Sequence, residues 1–173
     1  MTAKQLSILN AALKLFAQQG FSATPTSQIA KAAGVSEGLI FRHFGKKEGL
    51  LEAVVKEGEE SFKTLFADVA MASEPKEVIR KAISMPFGVP ESDYEFWRLQ
   101  FKLKWELDTF HDSKVEPMKL VVTNAFQKLG YEDAALEAET LLHLVEGVGS
   151  AMLKGHLNHK EELHQFLLKK YNL

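Results

Sequence analysis

Apolar residues recur at helical spacing along almost the whole chain, and short turn signals separate the runs. The first run predicts a helix from about residue 3 to Gln19, with Leu6, Leu9, Leu13 and Phe16 on one stripe and Ile8, Ala12 and Leu15 widening it. Gly20 closes it and Phe21 packs back beneath it. A second helix is predicted with Thr24 as N-cap and Pro25 at the first helical position, where a missing N–H costs nothing. Its apolar face is Ile29, Ala30 and Ala33, and Gly34 stops it by taking the left-handed conformation. Val35 plugs the turn and Ser36 caps a third helix, Glu37 to Phe44, which turns Leu39, Ile40 and Phe44 inward. Two short helices joined by a tight Gly-containing turn describe a helix-turn-helix, whose second helix commonly enters a DNA major groove.

After the Gly45 break, a fourth helix is predicted from Lys47 to about Met71, because Leu50, Leu51, Val54, Val55, Phe62, Leu65, Phe66 and Val69 sustain the pattern and no proline interrupts it. Ser73-Glu74-Pro75 makes a turn into a fifth helix ending near Ser84. Met85 to Pro90 is expected to be non-helical and to form the principal loop. A sixth helix, Asp93 to about Thr109, carries Tyr94, Trp97, Phe101 and Trp105 on one stripe and Phe96, Leu99, Leu103, Leu107 and Phe110 on another. Beyond His111-Asp112-Ser113, a seventh runs to Leu129 with Val115, Met118, Val122, Ala125, Phe126 and Leu129 inward, and Gly130 ends it. An eighth is predicted over Asp133 to Leu157, and a short final helix over Glu161 to Leu168. The fold class is all-α, with about nine helices.

Composition narrows the partners. The 173 residues contain no cysteine, which excludes disulfides and thiolate chemistry, and 46% hydrophobic with 25% charged residues is ordinary for a globular protein. No apolar run reaches the ~18 residues of a membrane span, and MTAKQLSILN lacks the layout of a secretion signal, so the cytoplasm is expected. The net charge of −2 hides an asymmetry: residues 1–50 hold six Lys/Arg and two acids, a net +4, leaving 15 basic and 21 acidic residues, a net −6, for the rest. A basic end on an acidic body points to a polyanion at the N-terminal part, or to a plainly solvated surface.

The segments ILNAALKLFAQQGF, SQIAKAAGVSEGLIFRHF and KKEGLLEAV resemble the N-terminal DNA-binding module of TetR-type (TetR/AcrR-like) transcriptional regulators in order, spacing and residue type, over roughly the first third of the chain. By position, the resemblance implies that Thr26, Ser36, Glu37, Gly38, Phe41, Arg42, His43 and Lys47 face DNA. Thr26 lies in the first turn of its helix, where the N-terminus favours a phosphate. Gly38 lets the backbone approach the groove, Arg42 can reach a phosphate or guanine, and His43 can donate to a phosphate. Phe41 departs from the family pattern, which usually has a tyrosine there; the ring can still touch a thymine methyl. Glu37 either accepts from a cytosine amino group or merely stabilises the positive end of its helix. Lys47 is a phosphate contact or a solvated lysine. The family usually has threonine where Pro25 stands.

Residues 1–47 are therefore read as a helix-turn-helix DNA-binding domain, and 48–173 as an effector-binding and dimerising domain. Phe62, Phe66, Trp97, Phe101, Trp105, Met118, Val122 and Phe126 are core residues or the lining of an apolar ligand cavity, with His143 and Glu146 either satisfied polar groups or its polar end. Leu144, Gly147, Val148, Ala151, Met152 and Gly155 on the eighth helix, with Phe166 on the last, are read as a two-fold interface, against a purely intramolecular core. His156, His159 and His164 lack the ligand frame of a metal site and are read as surface residues. No metal or cofactor and no enzyme chemistry is expected. The resemblance implies a homodimeric regulator, a repressor released from a palindromic operator by a small, largely hydrophobic effector. A dimeric regulator without an effector, or a helical carrier or enzyme body with a structural helix-turn-helix, are the alternatives.

Overall fold

The computed structural model describes residues 1–107 and 115–173, without the side chains of 59–62 and 115. Phe62, Phe110, Val115, the expected helix end at Thr109 and the His111-Asp112-Ser113 turn thus lie outside what is described. Among the described residues there are nine α-helices: α1 (Ala3–Gln19), α2 (Thr26–Ala33), α3 (Glu37–Phe44), α4 (Lys47–Ala70), α5 (Pro75–Ser84), α6 (Tyr94–Glu106), α7 (Val115–Lys128), α8 (Ala134–Leu153) and α9 (Lys160–Lys170). The Met85–Pro90 stretch, expected to be non-helical, contains a 3₁₀ turn at Pro86–Gly88, and a second follows at Glu91–Asp93. Proline at the first position of such a turn loses no hydrogen bond, so its presence does not forbid tight helical geometry.

The chain forms two compact units, Met1–Ser61 with Glu91–His111, and Phe62–Pro90 with Asp112–Leu173. This differs from the division at residue 47, because α6 packs on α1. Leu99 and Leu103 of α6 are fully buried in the same core as Ile8, Ala12, Phe16, Ile29, Ile40 and Leu50. Phe96 lies where a Cβ on Gly58 would be, so a bare backbone on α4 lets the α6 ring close in.

On α1 the buried face is Ile8, Leu9, Ala12, Phe16 and Ala17, whereas Leu6 is 44% exposed and Leu13 only half-buried. The packed stripe is therefore rotated from the expected one, towards the small residues that let α2 and α6 approach. Gly34 takes the left-handed conformation after α2, with φ 67°. Thr24, however, is not the cap of α2. It is fully buried and its hydroxyl donates to the Gly20 carbonyl at 2.7 Å, while Pro25 occupies the cap position. The threonine closes α1 instead of opening α2.

In the second unit, Val78, Ile79, Ala82 and Ile83 of α5, Met118, Val122, Ala125 and Phe126 of α7, Ala138 and Leu141 of α8, and Leu167 and Leu168 of α9 form one core. Phe126 meets Tyr131 edge-on at 4.8 Å and tilts against Tyr171 at 5.8 Å. The eighth helix ends at Leu153, short of the expected Leu157. Gly155, with φ 70°, turns the chain so that the His156 amide donates back to the Ala151 carbonyl and its own amide to Met152. Gly155 is thus a stop signal and leaves the small-residue strip of Gly147 and Ala151. His164, expected at the surface, is half-buried, stacked on Phe87 at 4.5 Å and hydrogen-bonded to Ser84 at 2.8 Å.

Candidate nucleic-acid interface

The third helix is anchored through Ile40, fully buried, with Leu39 and Phe44 half-buried beside it. That anchoring leaves Ser36, Glu37, Gly38, Phe41 and Arg42 exposed and His43 half-buried. Phe41 is 44% exposed, a large apolar surface for a helix that packs on its own core through other residues. Ser36 stands at the cap position, but its side chain makes no capping bond, so the hydroxyl is not committed to the helix end. Lys4, Lys31 and Arg42 line an open groove with Gly34, Val35, Ser36, Gly38 and Leu39, about 510 Å³ in volume.

His43 is positioned from α1. Thr2 caps that helix in a reciprocal box with Gln5: the Gln5 amide donates to the Thr2 hydroxyl, and the Gln5 Oε1 accepts from the Thr2 amide at 2.8 Å. With its oxygen so engaged, the Gln5 side chain presents its nitrogen to His43 Nδ1 at 3.4 Å. A neutral imidazole accepting at Nδ1 carries its proton on Nε2, the form that can donate to a phosphate. The Thr-x-x-Gln spacing is visible in the sequence, yet sequence reasoning passed over Gln5.

Lys47 is the first residue of α4 and is held near the end of α1. Its Nζ approaches the Ser22 carbonyl at 3.4 Å and lies 4.5 Å from the Phe21 ring centroid, a cation–π contact. Thr26 and Glu37, the first residues of α2 and α3, are joined directly: the Thr26 hydroxyl donates to Glu37 Oε1 at 2.5 Å. The expected contact residues thus share one unit, on and around α3.

Known proteins match this geometry. The family described as bacterial regulatory proteins, tetR family, matches residues 8–54, which span the helix-turn-helix and the start of α4. The N-terminal module of the chain is thus of the tetR type. The transcriptional regulator AcrR of Shigella flexneri is 33% identical over 141 residues, covering 80% of this chain and 63% of that protein. For the first curated relatives, the matched stretches span 31%, 26% and 63% of the relatives' lengths. The fold is that of a TetR-like transcriptional regulator from Rhodococcus sp. RHA1, with TM-score 0.81, 19% identity and coverage of 98% of this chain and 96% of that one. It is also that of FadR from Bacillus subtilis in complex with stearoyl-CoA, with TM-score 0.64, 21% identity and 95% of both chains covered.

The remaining expected site residues fall in different environments. Met118, Val122 and Phe126 are fully packed core residues. Phe66 is partly buried against that core. Trp97 and Phe101 are half-buried on α6, but Trp105 is 90% exposed, which corrects its placement among cavity-lining aromatics. It lies on the side of α6 away from Leu99 and Leu103, which hold the helix to α1. His143 is exposed, not a buried polar group, and Glu146 is half-buried. Leu144, Val148, Ala151 and Met152 of α8 are half-buried, Gly147 is exposed, and Phe166 of α9 is 63% exposed. Sequence reasoning missed Leu136 at the start of α8, 64% exposed, because a helix apolar on several sides does not show which side the core leaves bare. Among the described residues, no helix is long and apolar enough to cross a membrane.

Proposed function

We propose that the protein is a DNA-binding transcriptional regulator of the cytoplasm, acting as a homodimer on a palindromic operator. The observation that carries this reading is α3: a helix pinned by Ile40 that exposes Ser36, Glu37, Gly38, Phe41 and Arg42 together, inside a tetR-family module. Arg42 would contact a phosphate or guanine, and His43 Nε2 and Lys47 would contact phosphates. Gly38 would admit the groove floor, Phe41 would meet a thymine methyl, and Ser36, Thr26 and Glu37 would lie along the edge. Lys47 exchanges only a long carbonyl contact and a ring face for a phosphate, so its release is cheap.

Two recognition helices need a two-fold partner. Leu136 of α8 and Phe166 of α9 expose apolar surface that a second copy would cover, and Leu144, Val148, Ala151 and Met152 of α8 are half-buried. Repression released by a small, largely hydrophobic effector is supported by the shared fold with a regulator solved with stearoyl-CoA. Movement of α4, which carries Lys47 at one end and Phe66 and Val69 towards the other, would change the spacing of the two reading heads. The tightly filled core at Met118, Val122 and Phe126 favours a second reading, a dimeric regulator with no effector.

The experiment is binding of a labelled duplex at stated salt by wild-type protein, by Arg42→Ala and by Lys47→Ala, with and without long-chain acyl-CoA. Both variants are expected to bind more weakly, and acyl-CoA to release the wild type. Binding unchanged by both substitutions would contradict the interface, and binding insensitive to a panel of apolar effectors would favour the second reading.

A further inference from the structure

We propose that Glu37, held in place by Thr26, is a specificity-determining residue: it weakens binding to DNA in general and spares sites that present a cytosine amino group. The inference rests on the DNA-binding reading of α3. It assigns Thr26 a positioning role in place of a phosphate contact.

A threonine hydroxyl has one proton to give. Here that proton is directed to Glu37 Oε1 at 2.5 Å, so the same hydroxyl cannot simultaneously donate to a phosphate. A phosphate contact at Thr26 would require breaking the bond and bringing an anion beside the released carboxylate. Thr26 opens α2 and Glu37 opens α3, so the bond ties the starts of the two helices across the turn and fixes where the carboxylate stands. Glu37 is exposed and first in its helix, at the end that leads into the groove in helix-turn-helix docking.

An ionised carboxylate is an acceptor only, with about four lone-pair sites on its two oxygens. Thr26 fills one. The remainder are repelled by every phosphate of every sequence and are satisfied by a base that donates into the major groove, as cytosine does through N4. The energetic balance is therefore a uniform penalty with a local refund, which is how a charge produces selectivity without adding affinity. The neighbouring Gly38 adds no side chain to hold the groove away.

The test uses the full chain as wild type, Glu37→Gln, Thr26→Val, Thr26→Ser and the Glu37→Gln/Thr26→Val double variant. Each is measured by fluorescence anisotropy over a salt series against three duplexes: a selected site, the same site with its cytosines at the α3 contact replaced, and a random sequence. Glu37→Gln should bind the random duplex about 3- to 10-fold more tightly, the scale of one screened like-charge contact, and shrink the selected-to-random ratio. Thr26→Val should shrink that ratio too, Thr26→Ser should restore it, and Thr26→Val should add nothing in the Glu37→Gln background. The salt slope should not change with Thr26→Val.

A Thr26→Val variant that weakens all three duplexes equally and lowers the salt slope by about one would mean a phosphate contact, and would overturn the proposal. An unchanged ratio in Glu37→Gln would also overturn it. Wild-type protein that is folded by circular dichroism yet binds none of the duplexes would instead refute the DNA-binding reading itself.

Discussion

Glu106 Oε2 accepts a 2.8 Å hydrogen bond from the Phe21 amide, and the same oxygen accepts from Ser22 at 3.2 Å. One carboxylate at the last turn of α6 thereby grips the segment that leaves α1, and Lys102 of the same helix donates to the Gln18 carbonyl at 2.6 Å. The grip needs Gly20, whose φ of 92° disfavours a side chain and whose missing Cβ leaves the space Glu106 fills. Because Lys47 rests on Phe21 and Ser22, α6 reaches the reading module through this segment.

Removing the carboxylate should therefore loosen the module. Glu106→Ala is expected to cost about 1 kcal/mol, since the bonds are charge-assisted but Glu106 is exposed, and to lower the melting temperature by about 2–4 °C. Gly20→Ala should cost more, because it meets both the backbone conformation and the carboxylate. Thermal unfolding checks the order of the two.

Thr24 separates two accounts of the start of α2. An N-cap would tolerate Thr24→Asp or Thr24→Asn, which are good caps. The fully buried threonine bonded to the Gly20 carbonyl should not: Thr24→Asp buries a charge, and Thr24→Val should cost about 1–2 kcal/mol by leaving that carbonyl short of a donor. Denaturant unfolding of these three variants decides between them.

These residues show what was legible in the chain. The bounds of α1, α3 and α5 and the stop at Gly34 follow from caps, glycines and helical spacing, all local signals. Thr24 did not, because Thr-Pro reads as a helix start until the three-dimensional approach of Leu15 and Gly20 to its hydroxyl is known. Gly155 reads equally as a packing glycine or a stop, and only the carbonyls it serves decide. Which side of α6 is buried, and so the exposure of Trp105, depends on its packing against α1, distant in sequence.

The dimer reading makes Phe166 an interface residue. Phe166→Glu should leave the melting behaviour of the isolated fold nearly unchanged, since the ring is 63% exposed, yet shift the protein towards monomer in analytical ultracentrifugation. Operator binding should fall with it. A variant as dimeric as wild type would place the interface elsewhere.

Tyr171 gives a pH dependence of known sign. Burial raises the pKa of its phenol, and the charges of Glu137 and Tyr131 add to the shift. The unfolded chain then releases this proton first, so the contribution is intact below the ordinary phenol pKa of about 10 and is lost as pH rises beyond it. Wild type should lose stability across that window relative to Tyr171→Phe, measured by urea unfolding at stepped pH.

The central claim, a two-headed reader built on α3, is tested most directly by selecting random double-stranded DNA on the purified protein at physiological salt and sequencing what is retained. The account predicts an enriched inverted repeat whose half-sites are contacted by α3, lost in the Arg42→Ala variant. Retained DNA with no common sequence, or no retained DNA from a folded dimer, would contradict it.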